Sequence, residues 1–353
     1  MDVIDGGGSG DTINGEDGDD TIDGGTGNDV IDGGAGEDIL NGEAGDDTID
    51  GGTSGPDTID GGADTDTCVN PNGGSIVNCE EPPAALAAVG HGGTIVTSQD
   101  GLTWTSRTSG TAQIIENVAF DGSQWVAAGN NGTILTSPDA VAWTSRVSGT
   151  GNGLFEVAGD GTAWVAVGSG GTIITSPDGV AWTTRASGTG AILLAADGDG
   201  PLWVVVGSAG TILTSPTGTT WTSRTSGTAE WLLGVDWDGS QYVAVGQNGT
   251  ILTSPDGVVW TSRTSGTSQE LSGVSSTATL WVASGLSGTI LTSPDAVTWT
   301  SRTSGTAQDL HDVNGGGSQW VVAGANGVIL TSTDGVTWTS RTSGTSAILK
   351  GVG

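Results

Sequence analysis

The sequence predicts an all-β chain built from two repetitive domains, and three observations carry that reading. A tryptophan recurs every 39 residues, as Trp104, Trp143, Trp182, Trp221, Trp260, Trp299 and Trp338. Residues 1–67 follow a nine-residue period and hold 20 Asp and Glu with no Lys or Arg. No window shows a helical apolar period, and Gly, Thr and Ser are too frequent for stable helices.

The 39-residue unit contains four short β-rich runs. In one unit these are residues 114–119, 124–128, 133–136 and 142–146, separated by the turn signals Gly-Asn-Asn-Gly (129–132) and Pro-Asp (138–139). Seven such units predict a seven-bladed propeller of four-stranded blades over residues 84–353. The chain enters the repeat at its second strand, where Leu86-Ala-Ala-Val-Gly matches Trp125-Val-Ala-Ala-Gly. It leaves at the first, where Ile348-Leu-Lys-Gly-Val matches Ile114-Ile-Glu-Asn-Val. The seventh blade therefore takes three strands from residues 85–110 and one from 346–353. That join closes the ring and leaves no sheet edge open. A solenoid would call for capped ends instead.

Charge narrows the partners. The net charge is −32, and all eight basic residues follow position 100, seven of them the repeat arginines Arg107 to Arg341. Such a chain lacks the basic surface that nucleic acid or anionic membrane attracts. Cations are the natural partners of the acidic half. There is no transmembrane run, and the opening Met-Asp-Val-Ile-Asp has no basic n-region of a signal peptide. Cys68 and Cys79 flank residues 69–78, read as a hairpin around Asn-Pro-Asn-Gly-Gly. A disulfide there would cap the first domain and imply an oxidising compartment. Residues 68–83 are thus expected to form a disulfide-capped hairpin and a linker ending in Glu80-Glu-Pro-Pro83.

In the acidic domain, Gly24-Gly-Thr-Gly-Asn-Asp29-Val-Ile31-Asp and Gly33-Gly-Ala-Gly-Glu-Asp38-Ile-Leu40-Asn fit Gly-Gly-x-Gly-x-Asp-x-apolar-x throughout. Glu16 and Glu43 replace the second glycine in two other units, and Pro56 lies in a unit of ten residues. One apolar side chain per unit (Ile4, Ile13, Ile22, Ile31, Leu40, Ile49, Ile59) buries too little surface against this charge, so another stabiliser is needed. Glycine turns that expose carbonyls beside an aspartate offer the oxygen ligands that calcium takes.

This pattern resembles the RTX (repeats-in-toxin, hemolysin-type) calcium-binding nonapeptides. The resemblance implies a short parallel β-roll over residues 1–67 with calcium held between turns on the same side. Carried over position by position, the metal ligands are Asp11, Asp20, Asp29, Asp38, Asp47 and Asp57, with the carbonyls of Gly24, Gly27, Gly33 and Gly36. Asp66 falls in place, but Asp64 replaces a glycine of its unit. Asp23, Asp32, Asp50 and Asp60, at the ninth place, are expected to be solvated. Without calcium this half should unfold through self-repulsion.

In the propeller half, Ser-Pro-Asp-Gly-x-x-Trp resembles the Asp-box of sialidase-like (BNR) propellers, one residue shorter than the usual motif. Similar Trp-rich repeats occur in Ycf48-like propellers. The expected role is structural, with the carboxylate accepting turn amides and the indole covering the hairpin. Thr217 replaces the Asp once, so that turn should be weaker. A sialidase would need clustered arginines and a tyrosine–glutamate nucleophile. Here the arginines lie one per blade, and Tyr242 takes a position held by tryptophan elsewhere. No catalytic residues converge, so the chain reads as leaning away from an enzyme.

The units differ most before and at the first strand. One column holds Glu116, Phe155, Leu194, Leu233, Ser272, His311 and Lys350. The first strand of a propeller lines the central channel, so a ligand surface is expected near its mouth, with Glu116, Trp231, Glu270, Asp309 and His311 as contacts. The functional expectation is an extracellular, secreted or cell-surface calcium-binding protein whose propeller recognises carbohydrate or protein without catalysis. A glycoside-acting enzyme and a structural spacer are the alternatives.

Overall fold

The structure is a computed structural model that describes residues 1–64, 66–70, 73–79, 86–277, 279–315 and 319–353. The expected linker 80–83, and Pro71 and Asn72 of the expected hairpin, lie outside the described residues. The chain forms two compact units, Met1–Pro82 and Pro83–Gly353.

The first unit is a parallel β-solenoid with two sheets. One contains Val3–Asp5, Thr21–Thr26, Ile39–Ala44, Asp57–Asp60 and Gly74–Val77; the other contains Thr12–Asn14, Val30–Asp32, Thr48–Asp50 and Thr67–Val69. Ile4 pairs with Ile22 and Ile22 with Leu40, so one coil is two nonapeptides, one contributing to each sheet. The extra residue near Pro56 is absorbed between strands, since Leu40 still pairs with Ile59. The eighth-place residues from Ile13 to Ile59 stack with Cys68 into a single interior column, flanked by Ile4 and Cys79.

The described residues within 69–78 do not form the expected hairpin. Thr67–Val69 pairs with Thr48–Asp50 and Gly74–Val77 with Asp57–Asp60, both in parallel. The physical reason is register: Cys68 is buried in the interior column beside Ile49, and Gly74–Val77 extends the other sheet through its backbone with Ile76 left 45 % exposed. Cys68 and Cys79 are disulfide-bonded, with Cα atoms 5.8 Å apart.

The second unit is a propeller of seven four-stranded antiparallel blades. Six are continuous in sequence, and the seventh orders Thr105–Arg107, Ile95–Ser98, Leu86–Gly90 and the C-terminal Leu349–Val352. Ala88 faces Val352 and Val89 faces Gly351, which closes the ring as the termini predict. Second strands such as Trp125–Gly129 and Trp164–Gly168 are buried along their whole length, as expected for strands covered on both faces. Each interface between blades holds its own apolar cluster; Trp125, for example, packs with Ala87, Val89, Ile95, Val118 and Leu135.

One irregularity recurs in every blade and positions the channel side chains. The first strands carry a β-bulge, as between Ile115 and Asn117, Leu154 and Glu156, and Leu310 and Asp312. The bulge breaks the strict alternation of faces. Two consecutive residues, such as Glu116 and Asn117 or His311 and Asp312, therefore both line the central cavity.

Candidate functional sites

In the β-solenoid the sixth-place aspartates form two ladders, one along each edge. The Asp29 backbone N–H donates to Asp47 Oδ1 (2.8 Å), as Asp11 does to Asp29 Oδ1 (2.7 Å). On the other edge Asp20 donates to Asp38 Oδ1 (2.8 Å) and Asp38 to Asp57 Oδ1 (3.0 Å). Oδ1 of Asp29, Asp38, Asp47 and Asp57 is thereby used. The Oδ2 atoms of Asp11, Asp20, Asp29, Asp38, Asp47 and Asp57 are buried and accept no hydrogen bond. A buried carboxylate oxygen left in that state costs several kcal/mol, in the range of about 1–3 or more.

Those oxygens converge on backbone carbonyls at the first glycine of each unit. A Cβ on Gly24 would lie 2.6 Å from Asp29 Oδ2 and 3.1 Å from the Gly42 carbonyl oxygen. On Gly33 it would lie 2.7 Å from Asp38 Oδ2 and 3.1 Å from the Gly51 oxygen. On Gly15 it would meet the Gly33 oxygen at 2.5 Å and Asp20 Oδ2 at 3.0 Å, and on Gly6 the Gly24 oxygen at 2.5 Å. The first glycine is therefore fixed by oxygens gathering where a side chain would stand. This donor set, hard oxygens around unpartnered anionic ones, fits calcium. The Gly24 and Gly33 carbonyls belong to it. The Gly27 and Gly36 carbonyls lie instead against Gly45 and Gly55 of the adjacent coils. Burial and neighbouring carboxylates push Asp38 and Asp47 above the usual carboxylate range, although each accepts a backbone N–H that lowers it. The ninth-place aspartates do more than face solvent. Asp32, Asp50 and Asp60 each accept the amide two residues on, and Asp23 accepts the Asn41 amide.

In the propeller the repeated polar residues hold hairpins. Asp139 Oδ1 accepts the Val141 and Ala142 amides (2.8 and 3.0 Å) and the Ser137 hydroxyl (2.8 Å), while Trp143 Nε1 donates to the Ala140 carbonyl (2.8 Å). The Thr337 and Val336 amides hold Asp334 down to about 2 by the same arrangement. Where Thr217 stands instead, its hydroxyl meets Thr219, and Trp221 Nε1 is buried without a partner. Every repeat arginine donates Nε to a threonine on the neighbouring strand, from Arg107 to Thr97 (2.7 Å) through Arg341 to Thr331 (2.8 Å). The Tyr242 hydroxyl donates to the Leu202 carbonyl within the fold (2.5 Å).

The first strands enclose a cavity of ≈ 870 Å³. Of the expected contacts, Glu116, Glu270 and His311 line it. Glu116 lies 3.9 Å from Lys350, and burial lowers His311 to about 4 with Lys350 adding to the effect. Trp231 is 38 % exposed and outside the lining, and Asp309 Oδ1 accepts the Ser287 amide. The lining also holds five acids that the sequence reading passed over: Glu156, Asp197, Asp199, Asp236 and Asp312. The signal was present, because aligned units place Asp197 and Asp236 where Ala119 and Ala158 stand in other blades.

Comparison with known proteins agrees with this division. Residues 1–31, 23–54 and 52–69 match the family described as RTX calcium-binding nonapeptide repeat (4 copies). The first unit thus carries RTX repeats in a β-roll. The propeller resembles two solved structures. One, described as YCF48 bound to D1 peptide, has 19 % identity and a TM-score of 0.53, covering 65 % of this chain and 80 % of that one. The other is YCF48 from Cyanidioschyzon merolae, with 17 % identity and a TM-score of 0.53, covering 67 % and 87 %. At that identity the likeness establishes the fold. No curated protein sequence matches the chain.

Proposed function

We propose that this chain is an extracellular recognition module, in which a calcium-loaded roll accompanies a non-enzymatic propeller that binds carbohydrate or protein at its channel mouth. One observation carries the reading: the first-strand bulge turns the most variable column of the repeat into the cavity, while the repeated residues are spent on hairpins. Glu116, Glu270 and His311 are the proposed contacts at that mouth. Trp231 is proposed as an exposed aromatic contact beyond it, in reach of a ligand that overhangs the cavity. The peptide in the YCF48 complex supports a protein ligand.

Calcium is assigned to the ladders of Asp11, Asp29 and Asp47 and of Asp20, Asp38 and Asp57, and its charge would offset theirs. Weak sites of this kind load at the millimolar calcium found outside cells, and the Cys68–Cys79 disulfide suits the same oxidising setting. The deciding experiment is binding of the full chain to arrays of glycans and peptides, in calcium and in chelator. Saturable binding lost in Trp231→Ala supports the module. Turnover of a glycan would replace this reading with the enzyme, and silence on both arrays would leave a spacer.

A further inference from the structure

We infer that the propeller channel binds an elongated organic polycation, with ammonium groups spaced along an alkyl chain and held by Glu156, Asp197, Asp236 and Asp312. This rests on the reading of the channel as a recognition site and names its ligand chemistry.

The cavity of ≈ 870 Å³ is of the size that encloses an organic ligand. Of the acids lining it, Glu156, Asp197, Asp236 and Asp312 come from four different blades. Glu156 and Asp312 occupy one level of the first strand, and Asp197 and Asp236 a level two residues further along, roughly 7 Å away. Asp197 is only 7 % exposed, and the Asp236 Oδ2 is sealed from solvent with no hydrogen-bond partner although the residue lines the cavity. Ser276 bonds the Asp236 side chain, but its Oδ2 has neither a hydrogen bond nor a counter-charge.

The protein supplies none at these levels. Across the seven first strands the two levels hold Asn, Glu, Asp, Ser, Ala and Gly and no basic residue. Lys350 and His311 belong to the bulged level, where Lys350 faces Glu116. The arginines are tied to hairpin threonines. Spacing then selects among cations. No three acidic, His or Cys side chains among the described residues come close enough to share one metal ion. Separated carboxylates suit a ligand whose positive centres are also separated, and the adjoining Phe155, Leu194 and Leu233 would cover its methylenes.

Electrostatics agrees. Burial raises Asp197 and Asp312 to about 7, with Asp199 adding to the effect on Asp197. Burial followed by repulsion from Asp312 and Asp197 pushes Glu156 well up, and burial followed by Asp197 does the same to Asp236. A cation entering the channel would expel protons as these groups ionise.

The test is calorimetric titration of the full chain with spermidine, in millimolar calcium and in two buffers of different ionisation heat. One saturable site with proton release is expected, weakened at least about tenfold in Glu156→Gln/Asp236→Asn. Thermal melting of that variant checks its fold. The isosteric amides remove repulsion, so the propeller should melt no lower than the parent. Asp29→Asn/Asp38→Asn should retain the site, which separates it from counter-ion binding to the roll. A short lysine-rich peptide as second titrant distinguishes free polyamine from basic side chains. Absence of a saturable site, equal affinity in the channel variant, or loss only in the roll variant would overturn the inference. An array partner without spermidine binding would sink only this ligand class, whereas spermidine binding with silent arrays would sink only the proposed partner.

Discussion

The roll and the propeller are both repeats of short β-strands, yet they solve the problem of stability in opposite ways. The roll packs one column, Ile13 to Ile59 with Cys68, beside aspartates whose buried Oδ2 oxygens are unpartnered. The propeller has seven apolar clusters and satisfies its repeated aspartates with turn amides. A nonapeptide leaves room for one inward side chain per half coil; a blade strand buried on both faces supplies several. On the proposed reading the roll depends on an added cation, while the propeller rests on its own surface burial.

The largest test of this contrast is calcium removal. Chelation should abolish the roll's amide protection in hydrogen exchange and leave the propeller's intact; equal protection of the roll with and without calcium would break the comparison. Within the roll, Asp29→Ala deletes the unpartnered Oδ2 and the acceptor for the Asp11 amide. The calcium midpoint followed by circular dichroism should rise about tenfold, from the loss of one charged ligand, with no change in propeller melting.

Acidity should separate the halves of the propeller's own carboxylates. Asp197 and Asp312 titrate near 7 in the folded chain, above the ordinary 3.8. Between those values the folded state keeps protons that the unfolded state has released, so raising the pH through this window removes stability. The turn aspartates act in reverse: Asp334, at about 2, contributes above the ordinary value and loses that contribution only as pH falls toward 2. Asp197→Asn should flatten the decline in melting temperature between about pH 4 and 7, since it removes a group facing Asp199, Asp236 and Glu156. An unchanged slope would show that the channel acids do not titrate there. The smallest effect belongs to Thr217→Asp, which restores the missing turn acceptor. It should raise the propeller's melting temperature by about 2 °C, the size of one hydrogen-bonded turn in a domain of this length.

Much of this was legible in the residues. The spacing of the tryptophans gave blade number, and the different entry and exit strands gave closure, because both depend on local patterns that repeat. Gly24 and Gly33 marked, for the same reason, the turns where carboxylate and carbonyl oxygens gather. The segment after Cys68 misled, since Asn-Pro-Asn-Gly-Gly favours a local turn, and only the tertiary structure shows Cys68 buried beside Ile49 and Gly74–Val77 paired in parallel with Asp57–Asp60.

By itself, then, the sequence determined what is periodic: two repeat lengths, the strands within them, the sixth-place aspartates of the roll and the polar hairpins of the propeller. Tertiary structure alone decided which oxygen of each aspartate remains unpartnered, because that follows from stacking residues 18 or 19 apart. It also decided the channel. Glu156, Asp197, Asp236 and Asp312 are each one polar residue on a separate strand. They become a common electrostatic site only when the ring closes and the blades bring them around one cavity.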